Sequence, residues 1–255
     1  ALSEDVTISA PLVVESGKTV EIDLNGHDII NTTSLPDTDP RYGNTTVFEV
    51  KGGATLNIKG DGDVKAIGTN PDEDGYRMAV YAYDDAKVNI YGGNFSNDQD
   101  YNNHQAQLDL IYADQNAVIN IYGGTFESKS ANDRGYWVLN LKDGSNAAIN
   151  VYGGTFVNFD PSNSMTENPV KNFVVATSTT VKVSEDPQPN GSYEVVPEGG
   201  VVSVPIEVND AESLIEALSN PVVANIEVAS SIDLSEKSAE ELTFEEYKTI
   251  DIKEG

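Results

Sequence analysis

Three aspartates recur at nearly constant spacing, where carboxylates could bind a metal ion or act in catalysis. Asp84, Asp114 and Asp143 follow one another at intervals of 30 and 29 residues. If successive chain segments stacked about 4.8 Å apart, these carboxylates would form a row, which raises their proton affinity unless a cation lies among them. The row predicts a calcium site or the acid and base of a glycosidase. We favour the simpler interpretation that aspartate stabilises turns, with no cofactor.

Tyrosines form a second series with the same period. Tyr91, Tyr122 and Tyr152 each precede a Gly-Gly pair, at intervals of 31 and 30 residues. Such rings could stack on sugars, or they could stack on one another and stiffen the protein. We favour mutual stacking. Contact with a glycan or a protein suits the aromatic residues between the repeats better, namely Tyr42, Tyr76, Tyr101, Tyr136 and Trp137.

The tyrosines belong to a ten-residue motif that positions them. It reads VNIYGGNFSN from Val88, INIYGGTFES from Ile119 and INVYGGTFVN from Ile149, with a degenerate copy from Leu56. Apolar residues alternate with asparagine, which indicates a strand with one buried face, and the glycine pair permits a sharp turn. Helical periodicity is absent, and a propeller blade needs about 40 residues or more. The period therefore predicts a β-solenoid.

We accordingly predict an all-β chain in which residues 1–200 form a parallel β-helix of at least five coils, each of about 30 residues. The apolar members of the motif should be buried: Ile90, Ile121 and Val151. The asparagines at the intervening phase should form an amide ladder outside the apolar core: Asn57, Asn89, Asn120 and Asn150.

Residues 201–255 break the repeat pattern. Asn209 or Asp210 could cap a short helix that places Leu214, Ile215 and Leu218 on one face. Strand-like segments follow from Ile226 and Lys248. We predict a small C-terminal α/β module, or the start of a second, truncated solenoid.

Polar segments separate the predicted strands at one phase of the period. They span residues 32–45, 68–77 and 96–107. Because loops of equal phase in a solenoid emerge on the same side, these three segments should protrude together, and such loops commonly bind ligands. We expect binding through them.

Composition excludes several classes of function. With 15 basic and 42 acidic residues the net charge is −27, which disfavours nucleic acids and anionic membranes as partners. The chain has no cysteine, so disulfides and thiolate metal sites are excluded. It has no apolar run long enough for membrane insertion, and its polar start, ALSEDVTI, predicts no signal peptide. Hydrolase, phosphate-loop and zinc-protease motifs are also missing.

Several segments resemble those of pectate-lyase-like right-handed β-helix proteins. They are SGKTVEIDLNGHDIIN at 16–31, the YGGTF coils and NGSYEVVP at 190–197. The similarity is to the non-enzymatic kind found in surface proteins of gut bacteria and in fibre or decoration proteins of their phages. It covers roughly residues 1–200 and implies a right-handed helix. A lyase of this fold would bring a Lys or Arg base near acidic calcium ligands, whereas Arg41, Arg77 and Arg134 avoid the repeated strand positions.

Three functions are consistent with these observations. We expect a non-enzymatic structural or adhesive virion protein of a bacteriophage, such as a head fibre, a capsid decoration or a tail-associated protein. Its partners would be a host cell-surface glycan or protein and other virion proteins, and it would be a homo-oligomer. The second function is a secreted bacterial adhesin, extracellular or on the bacterial cell surface. The third is a polysaccharide lyase or glycoside hydrolase.

Overall fold

The structure is a computed structural model that describes residues 1–32, 46–67, 77–97, 109–129, 131–132 and 135–197, and, further along, 206–208, 210–211, 214–215, 218, 225–228, 231–235 and 249–252. The chain divides into two compact units. One comprises Ala1–Val175 and Thr180–Val195, and the other comprises Ala176–Thr179 and Val196–Gly255. The predicted boundary after residue 200 falls outside the described residues and stays a prediction.

Three stacked sheets build the first unit. Sheet A contains β1 (Val6–Ile8), β4 (Ile29–Asn31), β7 (Asp63–Ala66), β10 (Asn94–Asn97), β13 (Thr125–Ser128) and β18 (Gly154–Val157), followed by β20 (Ser192–Pro197) and β19 (Ser178–Ser184). Sheet B contains β2 (Leu12–Val14), β5 (Phe48–Lys51), β8 (Val80–Tyr83), β11 (Ile111–Ala113) and β16 (Leu139–Leu141). Sheet C contains β3 (Thr19–Asp23), β6 (Thr55–Lys59), β9 (Lys87–Ile90), β12 (Val118–Ile121) and β17 (Ala148–Val151).

The order of the strands shows how the chain winds. From β2 onwards it passes through sheet B, then sheet C, then sheet A, and it repeats this circuit through β18. Each strand pairs in parallel with its equivalent in the next circuit, as Ile90 pairs with Ile121 and Ile121 with Val151. Sheets B and C each have five strands, so the chain makes five coils. The predicted parallel β-solenoid is confirmed.

The apolar residues of the repeated motif fill the interior, as predicted. Ile90, Ile121 and Val151 are completely buried, because alternation along sheet C turns every second side chain inward. In sheet A the rings of Phe95 and Phe126 stack with centroids 5.0 Å apart. Phe156 continues this stack at 5.1 Å from Phe126. One apolar column therefore runs through three successive coils.

The glycine pair of the motif lets the turn between sheets C and A stack as closely as the strands. Gly124 has a φ of 103°, in the left-handed region that disfavours other residues. A Cβ atom on Gly123 would lie 2.6 Å from the carbonyl oxygen of Tyr91 in the preceding coil. Any larger residue at 123 would therefore separate the two coils at this turn.

Asparagines on the outer face of sheet C form the predicted amide ladder. Asn89 Nδ2 donates to Asn57 Oδ1 at 2.8 Å, Asn120 Nδ2 to Asn89 Oδ1 at 2.9 Å, and Asn150 Nδ2 to Asn120 Oδ1 at 3.0 Å. Asn89 and Asn120 are themselves buried, although their side chains point away from the apolar interior. The ladder therefore ties four coils together.

We expect Asn120→Ala to lower the free energy of unfolding by about 2 kcal/mol, because it breaks two amide hydrogen bonds and leaves their buried partners unsatisfied. Asn150→Ala, at the end of the ladder, should cost about half as much. Urea unfolding of both variants measures the difference. Equal effects would show that the ladder contributes no more than local packing.

The long connections all lie at one corner of the solenoid. Residues 32–47, 67–79, 98–110 and 129–138 each join a strand of sheet A to the next strand of sheet B. The connections at the other two corners span only a few residues. The predicted common phase of the loops is thus confirmed by the strands that flank them. Residues 33–45, 68–76 and 98–108 lie outside the described part of the chain. Within the last connection, β14 (Ala131–Asn132) and β15 (Gly135–Tyr136) pair antiparallel.

Side chains from the segment after β18 cover the last strand of sheet B. The Thr166 hydroxyl donates to the carbonyl oxygen of Leu139 at 3.0 Å. The Glu167 carboxylate accepts the backbone N–H of Leu141 at 2.8 Å. Edge groups of β16 that would otherwise face a further strand are therefore satisfied by side chains, which protects the edge.

Sheets A and C are closed by main chain. In sheet C the N–H of Val151 donates to the carbonyl of Phe173 at 2.9 Å. In sheet A, β20 runs antiparallel to β18 and places Tyr193 opposite Phe156. The sequence predicts a last, irregular coil in this region, but the chain reverses direction instead. Together these contacts form a cap, residues 158–175 and 180–195, on the fifth coil.

The second unit contains a short parallel sheet of β21 (Ile206–Val208), β22 (Asn225–Val228) and β23 (Thr249–Ile252). Between β21 and β22 the described residues Ala211, Leu214, Ile215 and Leu218 are helical. The N–H of Leu214 donates to the carbonyl of Asp210 at 3.1 Å, as expected if Asp210 precedes the first turn. The choice between an α/β module and a second solenoid stays a prediction.

Candidate binding surface on sheet B

The tyrosines of the repeated motif form a closed stack. The rings of Tyr91 and Tyr122 lie 5.1 Å apart between centroids, and those of Tyr122 and Tyr152 lie 4.8 Å apart. Tyr122 and Tyr152 are buried, and burial raises the pKa of both hydroxyls. These rings lie on the outer side of sheet C, but little of their surface faces solvent. The geometry agrees with mutual stacking, and a sugar would find little exposed ring face.

The three periodic aspartates lie in the turns that connect sheet B to sheet C. Extending the pairing of β8, β11 and β16 places Asp84 and Asp143 at one register position, whereas Asp114 lies opposite Tyr83, one position earlier. The carboxylates therefore do not form one continuous row. Asp84 has a φ of 57°, which aspartate tolerates in turns. Over the described ranges, no three His, Asp or Glu side chains are grouped to hold a metal ion. The calcium site stays a prediction.

The predicted aromatic contacts of the loops have different positions. Tyr42, Tyr76 and Tyr101 lie outside the described residues. Tyr136 is half-buried in β15. Trp137, just before β16, is only 8% exposed, so its ring is part of the packed corner between sheets A and B. Neither Tyr136 nor Trp137 offers a fully exposed ring.

A different group of tyrosines stands on the outer face of sheet B. Tyr81 and Tyr83 alternate along β8 with buried Val80 and Ala82, so both rings point away from the core. The rings of Tyr81 and Tyr83 stack with centroids 4.8 Å apart. The Tyr112 ring, directly opposite Tyr81 in the next coil, lies 5.5 Å from it at an angle of 35°. All three are partly exposed. We call them the tyrosine surface.

Charged and hydrogen-bonding groups border the tyrosine surface. The Tyr83 hydroxyl donates to the Glu49 carboxylate at 2.8 Å. Burial, followed by this hydrogen bond and the charge of Glu49, raises the pKa of Tyr83, so the hydroxyl remains a donor at neutral pH. The Lys51 ammonium lies 3.4 Å from the carboxylate of Glu15. Asp114 follows β11 beside Tyr83. Apolar rings with a few fixed polar groups are typical of a ligand-binding surface.

The signal for this surface is present in the sequence but was missed. Tyr81 and Tyr83 occupy alternate positions of the run MAVYAY, and Tyr112 occurs 31 residues after Tyr81 in LDLIYA. Alternation with buried residues already places them on one face, and the period already places them in adjacent coils. The YGG motif repeats more regularly, so it dominated the interpretation.

Comparisons with protein-family models, with curated protein sequences and with solved structures give no match for this chain. The described part of the chain has no helix long and apolar enough to cross a membrane. A fold supports many activities, so any function rests on the chemistry of the tyrosine surface.

Proposed function

We propose that this protein is a non-enzymatic adhesive or structural protein that binds a cell-surface glycan through the tyrosine surface. The observation that carries the proposal is the grouping of Tyr81, Tyr83 and Tyr112 on the outer face of one sheet. Ring faces pack against the apolar faces of sugars, and the neighbouring carboxylates and amides accept hydrogen bonds from sugar hydroxyls. This surface takes precedence over the loop aromatics as the candidate site.

The rigidity of the solenoid supports this role. Tyr81 and Tyr112 are held on paired strands, each between completely buried neighbours. Sites built on strands hold their side chains more precisely than sites on loops, so the rings lose little freedom when a ligand binds. The long connections at the A–B corner join sheet B at its N-terminal strand ends. They would extend the contact area, as proposed for Tyr42, Tyr76 and Tyr101.

Binding is favoured over glycan cleavage by the arrangement of the carboxylates. A glycosidase needs two carboxyl groups facing one bond, and Asp114 is out of register with Asp84 and Asp143. Glu49, the carboxylate nearest to the rings in register, accepts a hydrogen bond from Tyr83. The lyase or hydrolase alternative would require another set of acids.

For the biological setting we propose a right-handed helix of the pectate-lyase-like kind, because connections between parallel strands of one sheet are right-handed in about 98% of cases. We place it first in a bacteriophage virion, as part of a homo-oligomer that contacts other virion proteins, and second on a bacterial cell surface. The similarity of the coil motifs to those protein groups supports this order. Neighbouring capsid and portal genes would support the first setting, and a surface-anchoring sequence in the precursor would support the second.

Glycan binding is tested by affinity electrophoresis and calorimetry with a panel of oligosaccharides. We expect Tyr81→Ala and Tyr112→Ala each to weaken binding about tenfold or more, since a lost stacking contact of about 1.4 kcal/mol changes the affinity tenfold. Unchanged affinity in both variants would disprove the assignment of the surface.

Two control variants accompany this test. Tyr193→Ala removes a partly exposed tyrosine from sheet A and should leave binding unchanged. The triple variant Asp84→Asn, Asp114→Asn, Asp143→Asn should also retain binding. If the wild-type protein cleaves a glycan and this triple variant does not, the enzyme alternative replaces the proposal.

A further inference from the structure

The tyrosine surface lies in an acidic part of the molecule. Glu49 pairs with Tyr81 across β5 and β8, and Glu15 precedes it by one coil. Asp84 and Asp85 follow β8 and are exposed. The nearby Lys51 is paired with Glu15 at 3.4 Å, so its charge is offset. The whole chain carries a net charge of −27. A ligand that approaches these rings therefore meets a negative potential.

The Glu49 carboxylate is held beside the rings. Directly paired residues on one face of adjacent strands have Cβ atoms about 5 Å apart, so Glu49 and Tyr81 are neighbours. The Tyr83 hydroxyl donates to Glu49 at 2.8 Å, which fixes the orientation of the carboxylate. A carboxylate can accept several hydrogen bonds at once. An ammonium group could thus contact the carboxylate and the ring faces together, through an ion pair and a cation–π interaction.

On this geometry we propose that the preferred ligand is a glycan that carries protonated amino groups, bound with an ammonium between Glu49 and the rings of Tyr81 and Tyr83. The inference rests on the proposed glycan binding and specifies its ligand class. Neutral sugars keep the ring stacking but lose the ion pair. Acidic sugars are disfavoured, because their carboxylates are repelled by Glu49 and by the surrounding negative charge.

A matched pair of ligands provides the test. Glucosamine hexasaccharide and N-acetylglucosamine hexasaccharide have the same backbone, but only the first carries ammonium groups. By calorimetry at pH 6 and low salt, we expect the glucosamine form to bind about tenfold tighter or more, and oligogalacturonate of equal length to bind most weakly. The comparison uses the wild-type protein, so it does not depend on whether a variant folds.

Two variants locate the ammonium contact. Glu49→Gln removes the charge but keeps an acceptor for the Tyr83 hydroxyl, so it should abolish most of the preference for glucosamine. Glu194→Gln makes the same change of net charge at an exposed site in sheet A and should leave the preference unchanged. Equal effects of the two variants would attribute the preference to net charge alone and would overturn the inference.

The remaining outcomes separate the inference from the proposed function. If both hexasaccharides bind equally and binding depends on Tyr112, the amino-group inference fails while glycan binding stands. If no oligosaccharide binds, both fail. If polylysine binds as tightly as glucosamine hexasaccharide, and binding survives Tyr81→Ala, the surface attracts cations of any kind and the inference is again overturned.

Discussion

Replacing Ile121 with aspartate is expected to abolish cooperative folding of the solenoid. Ile121 is completely buried and lies on β12, between β9 and β17 in the middle of sheet C. An unpaired carboxylate in this apolar interior should cost more than about 4 kcal/mol, a large part of the stability of an ordinary domain. Circular dichroism and thermal melting should show a loss of the sharp transition.

The matched control lies on the same strand. Val118→Asp makes a comparable change at a partly exposed position on the outer face of β12, where Lys87 of the preceding coil is its partner in register. We expect this variant to fold and to lose about 1 kcal/mol or less. A stable, cooperatively melting Ile121→Asp protein would refute the inward orientation of this side chain.

Asp109→Asn is expected to stabilise the protein at pH 8 and to have little effect at pH 4. Asp109 is completely buried, and its Oδ2 atom has no hydrogen-bond partner among the described residues. Burial raises the pKa of this carboxyl to about 7. In the unfolded chain its pKa returns to about 3.9, so between these values the folded state binds the extra proton. Stability therefore falls as pH rises through this range.

The size of the effect follows from the same difference. Above pH 7 the folded protein carries a buried carboxylate, which costs on the order of 3–4 kcal/mol relative to low pH. Asn140 donates to Asp109 Oδ1 at 3.0 Å and can donate equally to an asparagine. The charges near Asp109 are those of Glu167, which raises its pKa, and Lys142, which lowers it.

Urea unfolding from pH 4 to pH 8 measures this prediction. The wild-type protein should lose stability across the series relative to Asp109→Asn, and the two curves should converge near pH 4. Asp143→Asn, at an exposed turn position, should follow the wild-type curve. A constant difference between Asp109→Asn and wild type at every pH would show that Asp109 does not titrate in this range.

The coils could be predicted because each repeats the same local rule. Alternation around Ile90 and Ile121 determines which side chains are inside, and the period then determines which residues pair. The same two rules predicted the asparagine ladder and the stacking of Tyr91 on Tyr122. They also predicted that the long loops share one corner, since an insertion there leaves the register of all three sheets intact.

Features that depend on contacts between distant, non-repeating residues were not predictable in this way. Asp114 differs from Asp84 by a single register position, because the turns between sheets B and C differ in length by a residue. The buried state of Asp109 depends on the packing of the A–B corner, which no local pattern encodes. The reversal at β20 was missed for the same reason, since an apolar alternating segment reads alike in a parallel and an antiparallel strand.

The cap on the fifth coil has a consequence for assembly. A stack of parallel strands is a template for further strands, and an uncovered end would recruit other chains into a growing fibre. Here Thr166 and Glu167 occupy backbone groups that an incoming strand would need, and β20 presents the opposite strand polarity. Polymerisation from this end is therefore blocked by the chain itself, and loss of the cap would turn a finite coil stack into a seed for aggregation.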